Sequence, residues 1–345
     1  MDQLKRLFCF LIIIAGTASQ VFGGGENRAG TNAAPELQIP VGSRYVAMGG
    51  ADIATSIGLE SVYWNPAGVD FAANSANVMF SYRKHFADMS YDYFAVSSKF
   101  DLGTIAVSFR DLNVGNINVT TMDNPDGNGQ VITPTYFILG LTYAKALTDR
   151  VSVGVNVNWI NESWANVAAS DVSFDFGVQY RNLFAIPDLA LGIVVKNLGP
   201  SMQYSGSGLW VQATDPSSAR GLTYLQVGAG SFELPSSVSL GLSYSKQLDV
   251  DNKVSVAGSF VNNNFSYDNI CVGAEYSFKN IAYLRAGYLY SPQSTTDTPN
   301  MYQNYTVGFG INFGSFSDVD ITLDYAYIPV KYFDANQSFT IRMGF

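Results

Sequence analysis

The chain has 345 residues, 47% of them apolar and 14% aromatic, with a formal charge of −9 and a mean hydropathy of +0.09; this profile excludes disorder and coiled coil. Charged residues are only 14%, well under the roughly 25% of an ordinary soluble domain, and Lys and Arg are scattered, so nucleic acid as a partner is excluded for want of a basic patch. Beyond the N-terminus the longest clean apolar run is Leu189 to Val195, far short of the roughly 18 residues that a membrane-crossing helix needs.

Residues 1–23 have a basic start at Lys5 and Arg6, an apolar stretch from Leu7 to Ala15 and small residues around Gly23. This three-part pattern predicts a cleaved export signal, with the cut placed after Gly23. Cys9 leaves with it. The remaining cysteine, Cys271, has no partner in the chain and is expected to be buried.

Residues 24–74 show no period-two pattern. They carry the small-residue run Ala47-Met48-Gly49-Gly50-Ala51-Asp52 and then Tyr63-Trp64-Asn65-Pro66-Ala67-Gly68. Asn followed by Pro reads as a helix start, with Asn as the cap and Pro in the first turn. Ile53, Ile57, Leu59, Val62, Val69 and Phe71 are too apolar a set for a solvated tail, so a compact plug is predicted.

From about residue 75 the chain alternates with period two. Val151, Val153, Val155, Val157 and Trp159 interleave with Ser152, Gly154, Asn156 and Asn158, and the same pattern returns at 172–181, 237–244, 305–313, 319–327 and 339–345. Strands are predicted near 75–83, 90–100, 103–114, 133–147, 150–164, 169–182, 189–197, 234–248, 253–264, 267–279, 281–291, 304–314, 319–330 and 338–345, fourteen in all. Alternation alone also fits a soluble sandwich. Three features favour an all-β, antiparallel transmembrane β-barrel of fourteen strands with an N-terminal hatch in its lumen. Many strands reach the nine to eleven residues that cross a bilayer. Connections alternate long (115–132, 198–233, 292–303) with short (148–149, 249–252, 315–318), as outer loops and periplasmic turns do. The last strand ends on Phe345, the C-terminal aromatic expected to address the outer-membrane assembly machinery. In lipid a closed sheet leaves no backbone group unpaired.

The polar faces of these strands carry Asp175, Arg181, Lys196, Glu275, Lys279, Asp320, Asp324 and Arg342, expected to face the lumen and to pair with one another or with the plug. Trp159, Tyr180, Tyr244, Tyr276 and Tyr327 are expected at the membrane interfaces.

No catalytic centre is legible. His85 stands alone and is expected in a surface loop; no triad signature accompanies it, and no metal set or cofactor motif is present. Asn124-Pro125-Asp126-Gly127-Asn128-Gly129 fails as a calcium loop because Thr135 stands where a bidentate Glu is needed. Gly308, Gly310 and Gly314 lie on a strand with no helix after them, so they lighten the inner face and bind no nucleotide.

Gly42-Ser43-Arg44, Ala47-Met48-Gly49-Gly50-Ala51 and Tyr63-Trp64-Asn65-Pro66-Ala67-Gly68, placed ahead of fourteen strands and a terminal Phe, resemble the PorV/PorQ family of FadL-like outer-membrane barrels. The resemblance implies a hatch motif of Gly49, Gly50, Trp64, Asn65, Pro66, Ala67 and Gly68, a place in type IX protein secretion, and three partners: outer-membrane lipid, the translocon barrel and the C-terminal domains of secreted cargo. It implies residues 1–23 as signal peptide, 24–74 as hatch and 75–345 as barrel, in the bacterial outer membrane with both termini periplasmic. Trp164, Tyr204, Trp210 and Tyr224 are the expected partner-binding aromatics of the outer loops, since Trp and Tyr dominate binding hot spots. Two alternatives stand beside this reading: an importer of hydrophobic small molecules, and a structural barrel that anchors another envelope protein.

Overall fold

The computed structural model describes residues 28–214, 221–292, 294, 301–302, 304–314 and 319–345. The expected export signal lies outside them, as do most of the connection 292–303 and all of 315–318.

The alternating segments form strands β1 (Ala76–Lys84), β2 (Ser90–Phe100), β3 (Gly103–Asn113), β4 (Thr135–Ala146), β5 (Val151–Trp164), β6 (Val167–Arg181) and β7 (Leu189–Leu198). They continue with β8 (Ser237–Gln247), β9 (Asn252–Asn263), β10 (Asn269–Phe278), β11 (Ala282–Tyr290), β12 (Tyr305–Asn312), β13 (Asp320–Ile328) and β14 (Asn336–Gly344). All pair antiparallel with their chain neighbours, and β14 returns to β1 in the register Phe80 to Ile341, so the fourteen strands close into one barrel with no free edge. The period of two settles which side chains point where. Phe80, Phe94, Val107, Leu141, Phe176, Val238, Leu284 and Phe309 are exposed on the outside. Their neighbours in sequence turn inward and are buried.

A continuous exposed apolar girdle is untenable in water and is the signature of the outer-membrane barrel fold. The buried core is therefore inside the ring, and it is built half from the wall and half from residues 33–69. Val41, Leu59, Val62, Tyr63 and Val69 pack on Met79, Tyr91, Tyr93, Ala95, Ala106 and Ala144 of β1 to β4. Ala33, Ala34 and Leu37 meet Ile138, Ile160 and Ala169 of β4 to β6, together with Met202 and Leu234. Val46 and Ala47 meet β13, and Met48 and Ala51 meet Ala257 and Cys271 of β9 and β10. The N-terminal segment thus touches the inner face all round. Within it lie only short helical turns, Pro35–Gln38, Ser43–Ala47, Gly58–Glu60, Ser61–Trp64 and Pro66–Val69.

Ala76 and Phe345 share one rim, tied by Ser75 and Ala76 amides donating to the Phe345 carbonyl. Connections at this near rim are short. The far rim departs from the expected rule of long loops. It includes the tight turn at Ala165 and Asn166, with Ala165 in the left-handed region (φ 52), beside the long connection 199–236. On that side height comes from the strands: β5 and β6 have 14 and 15 residues, against 8 in β12. The connection 199–236 folds back over them. Ser205 bridges Ala168, and a two-stranded ribbon Trp210–Thr214 with Leu222–Gln226 stands above.

Candidate functional site

The contact between wall and inner segment is set by glycine. Gly154 and Gly177, paired across β5 and β6, face Asn65, Pro66 and Ala67; Gly192 and Gly241, paired across β7 and β8, face Ile53. Gly273 and Gly287, paired across β10 and β11, face Met48 and Gly49, and Gly308 of β12 faces Ala47. At each of them a Cβ would overlap the inner segment closer than real Cβ atoms approach. Glycines on the inner face of β5 to β8 and β10 to β12 thus form a belt into which residues 47–67 fit, by backbone at Gly154, Gly192, Gly273 and Gly287 and by side chain at Gly177, Gly241 and Gly308.

Asn65 anchors that backbone. Its Oδ1 accepts the Ala67 amide (3.2 Å) as a cap on the turn Pro66–Val69, and its Nδ2 donates to the carbonyls of Ile53 (2.9 Å) and Val178 (3.1 Å). Pro66 takes the first position of the turn, where its missing N–H costs nothing. Trp64 donates Nε1–H to the Val41 carbonyl (2.8 Å) and covers Gly50, whose φ of +74 suits glycine. Gly49 (φ +67) lies on the backbone of Gly287, and Gly68 on that of Ser56.

Polar contacts surround this apolar seat in two sets. On one side Arg44 forks onto Glu275 (Nε 3.0 Å, Nη2 2.8 Å), Arg285 bridges Glu275 and Asp324 at 2.6 Å each, and Arg342 reaches Asp324 (2.6 Å) and, at 4.0 Å, Glu60. Three guanidiniums balance three carboxyls, which is what a low-dielectric interior requires. Burial pushes the Glu60 carboxyl up, with Arg342 holding it back, and burial likewise raises Asp52 against the hydrogen bonds from Thr55. Gly310 leaves space where Arg285 meets Asp324. On the other side a bulge sets Lys196 and Asn197 of β7 opposite Asp175 alone, with Asn197 left-handed (φ 56). The Lys196 ammonium lies 3.4 Å from the Tyr63 ring centroid, and the Asn197 amide donates to Asp175 (2.7 Å). Asn156 and Asn158 donate to the same carboxylate, and Arg110 donates to Asn158.

Of the charges expected to face the lumen, Asp175, Lys196, Glu275, Asp324 and Arg342 do. Lys279 instead sits in a near-rim turn beside Asp251, and Asp320 is exposed at the same rim, because both fall at strand ends where alternation no longer assigns a side. Arg181 stacks on Phe71 (3.6 Å). His85 is not a surface residue: it is buried, with its ring on Phe86 and its Nδ1 3.1 Å from Asn336 Nδ2. Burial, aided by Arg83, lowers its pKa to about 4.

Among the far-rim aromatics, Trp164, Trp210 and Tyr224 are exposed. Tyr204 turns inward, its hydroxyl donating to Glu162 of β5. Sequence reading missed Glu36, Arg110, Glu162 and Arg285. Arg285 was available from parity, since it shares a face with Gly287. Among the described residues no group of three or more metal-ligating side chains occurs, and no described helix is long and apolar enough to cross a membrane.

A family model described as "Type IX secretion system protein PorV" matches residues 23–265. No curated protein matches the sequence. Among solved structures the chain is similar to the Ralstonia pickettii toluene transporter TbuX (TM-score 0.58, 14% identity, covering 88% of this chain and 98% of that one). It is also similar to the Pseudomonas putida toluene transporter TodX (0.53, 13%, 88% and 97%) and to a Pseudomonas aeruginosa FadL homologue (0.53, 11%, 88% and 97%). At such identities the likeness is one of fold.

Proposed function

The chain belongs to the PorV family of type IX secretion system proteins, and from that premise we propose that it acts as an accessory or shuttle barrel that binds exported cargo, or the translocon, at its far rim. In this reading residues 1–23 are removed on export, residues 24–74 are a hatch, and 75–345 form the barrel in the outer membrane. Both termini are then periplasmic and the far rim faces outward. The observation that carries the reading is the glycine belt. A segment packed without clearance on seven strand glycines, its backbone against four of them and its side chains against three, is a fixed plug, so work is done on the surface that remains open, the rim. That rim presents Trp210 and Tyr224 on an exposed ribbon and Trp164 at the tip of the tallest hairpin, the residue types that anchor protein interfaces. Supported partners are the C-terminal domains of secreted cargo, the translocon barrel and outer-membrane lipid; no cofactor and no catalysis enter.

The test is the double variant Trp210→Ala with Tyr224→Ala. Co-purification of cargo or translocon from native membranes is expected to fall at least about tenfold, as loss of two hot-spot aromatics implies, with the heat-modifiable barrel band unchanged. Undiminished co-purification would refute the rim assignment. The second reading, an importer of hydrophobic small molecules, is favoured by the fold shared with toluene transporters. Against it stand the seated plug and the charged inner face. Lost hydrocarbon uptake with normal cargo release in a deletion strain would establish the importer instead.

A further inference from the structure

Around the ring, one contact between the inner segment and the wall pairs acid with acid. Glu36, in the turn Pro35–Gln38, is 2% exposed, and neither of its carboxyl oxygens has a hydrogen-bond donor. Glu162, toward the far end of β5, is also 2% exposed; one oxygen accepts the Tyr204 hydroxyl and the other has no donor. Leu37 and Ile160, close to them in sequence, share one packed cluster, and Glu162 is the charged neighbour that acts most on the Glu36 carboxyl. We propose that Glu36 and Glu162 share one proton, and that this proton latches the N-terminal segment, the barrel wall and the root of the far-rim connection to one another.

Two ionised carboxylates cannot occupy neighbouring sites in so dry a place, whereas one acid and one carboxylate make a strong hydrogen bond that satisfies an oxygen on each side. No surrounding group donates to the Glu36 carboxyl. Arg110 of β3 is the cation that acts on Glu36 and opposes the effect of burial, but its Nη2 is engaged by Asn158 and its Nε reaches no acceptor. Tyr91 of β2 donates to the Glu36 backbone carbonyl (3.4 Å), not to the carboxyl. Tyr136 of β4 faces the pair, and Tyr204 is already on Glu162. Glu162 therefore joins two parts of the molecule: Tyr204, which roots the connection 199–236, and Glu36, which lies in the plug.

Burial first, and then Glu162, push the Glu36 carboxyl up to about 8 from an ordinary 4.5. The sign follows. A folded-state pKa above the open-state value means that the latch is at full strength below about pH 4.5 and is lost as pH rises to about 8, above which no further loss accrues.

The measurement is an infrared pH titration of the full-length purified barrel in detergent, following the C=O absorption of a protonated, buried carboxyl. The wild type is expected to show such a band at pH 6 that disappears with a midpoint near 8; Glu36→Gln is expected to abolish that transition, and Glu162→Gln to move its midpoint down, since burial alone still holds the Glu36 carboxyl up. In parallel, amide exchange at Leu37 and Ile39, corrected for intrinsic rates, is expected to rise by about tenfold per pH unit between pH 5 and 8 in the wild type and to level off above. Glu36→Gln should flatten that rise, and Glu162→Gln should end it at a lower pH. A wild-type barrel without a carboxyl band titrating between pH 6 and 9 overturns the proposal, with no variant needed. Persistence of the band in Glu36→Gln, or an unchanged exchange profile in both variants, overturns it equally.

Discussion

Asn65 makes three hydrogen bonds, one capping its own short turn and two reaching the carbonyls of Ile53 and Val178, and its replacement tests how far a single side chain holds the inner segment. Asn65→Ala leaves the Ile53 carbonyl only the longer donor, Gln179 Nε2 at 3.4 Å, and removes the cap on Pro66–Val69. The expected cost is about 2 kcal/mol, read as faster proteolysis within residues 28–74 of the detergent-solubilised barrel. Asn65→Asp keeps the capping oxygen but sets its second oxygen against the Ile53 and Val178 carbonyls at a fully buried site, and should cost at least as much as Ala. Glu275 is the second pivot. Glu275→Gln leaves Arg44 and Arg285 without their shared counter-charge, and is expected to lower stability by about 3 kcal/mol in urea unfolding. Arg44→Ala should cost less, because Glu275 retains Arg285. An equal loss in the two variants would show that the pair to Arg44 dominates.

At the scale of elements, the inner segment has little regular structure of its own, and its helical turns are three to five residues long. Turns this short do not persist unaided, so their shape is imposed by the strands around them. Gly287 offers the sharpest probe. A valine there suits a strand, yet its side chain would strike the backbone of Met48 and Gly49, which cannot swing aside as a side chain could. Gly287→Val is therefore expected to leave the heat-modifiable barrel intact while exposing residues 28–74 to protease. Gly221→Val, in open space, should leave both the barrel and the protection of residues 28–74 unchanged. A protected plug in Gly287→Val would show that the belt is not what seats it.

For the whole molecule, the usual arrangement of a globular protein is inverted: the exterior is apolar, and the packed core is shared between a ring and the segment inside it. Strand height adds an asymmetry. At about 3.4 Å per residue, β5 and β6 run some 20 Å longer than β12, and Ser205 of the following connection bridges that longer wall at Ala168. The far rim is thus a sloped platform rather than a ring of equal loops.

Strand number, order and, away from strand ends, inward or outward sense were legible in the bare chain, because a sheet with one apolar face obeys a period of two that a reader can count. Val151 to Asn158 states it without help from any other segment. The Asn65-Pro66 turn was legible for the same reason, since a cap and its first turn are contacts between near neighbours. The burial of His85, the inward turn of Tyr204, the displacement of Lys279 and Asp320 from the lumen, and the meetings of Arg44 with Glu275 and Glu36 with Glu162 were decided only by the closed tertiary structure. Each depends on which residues the ring brings opposite one another across its interior, and curvature, register and bulges set those distances while leaving no period along the chain.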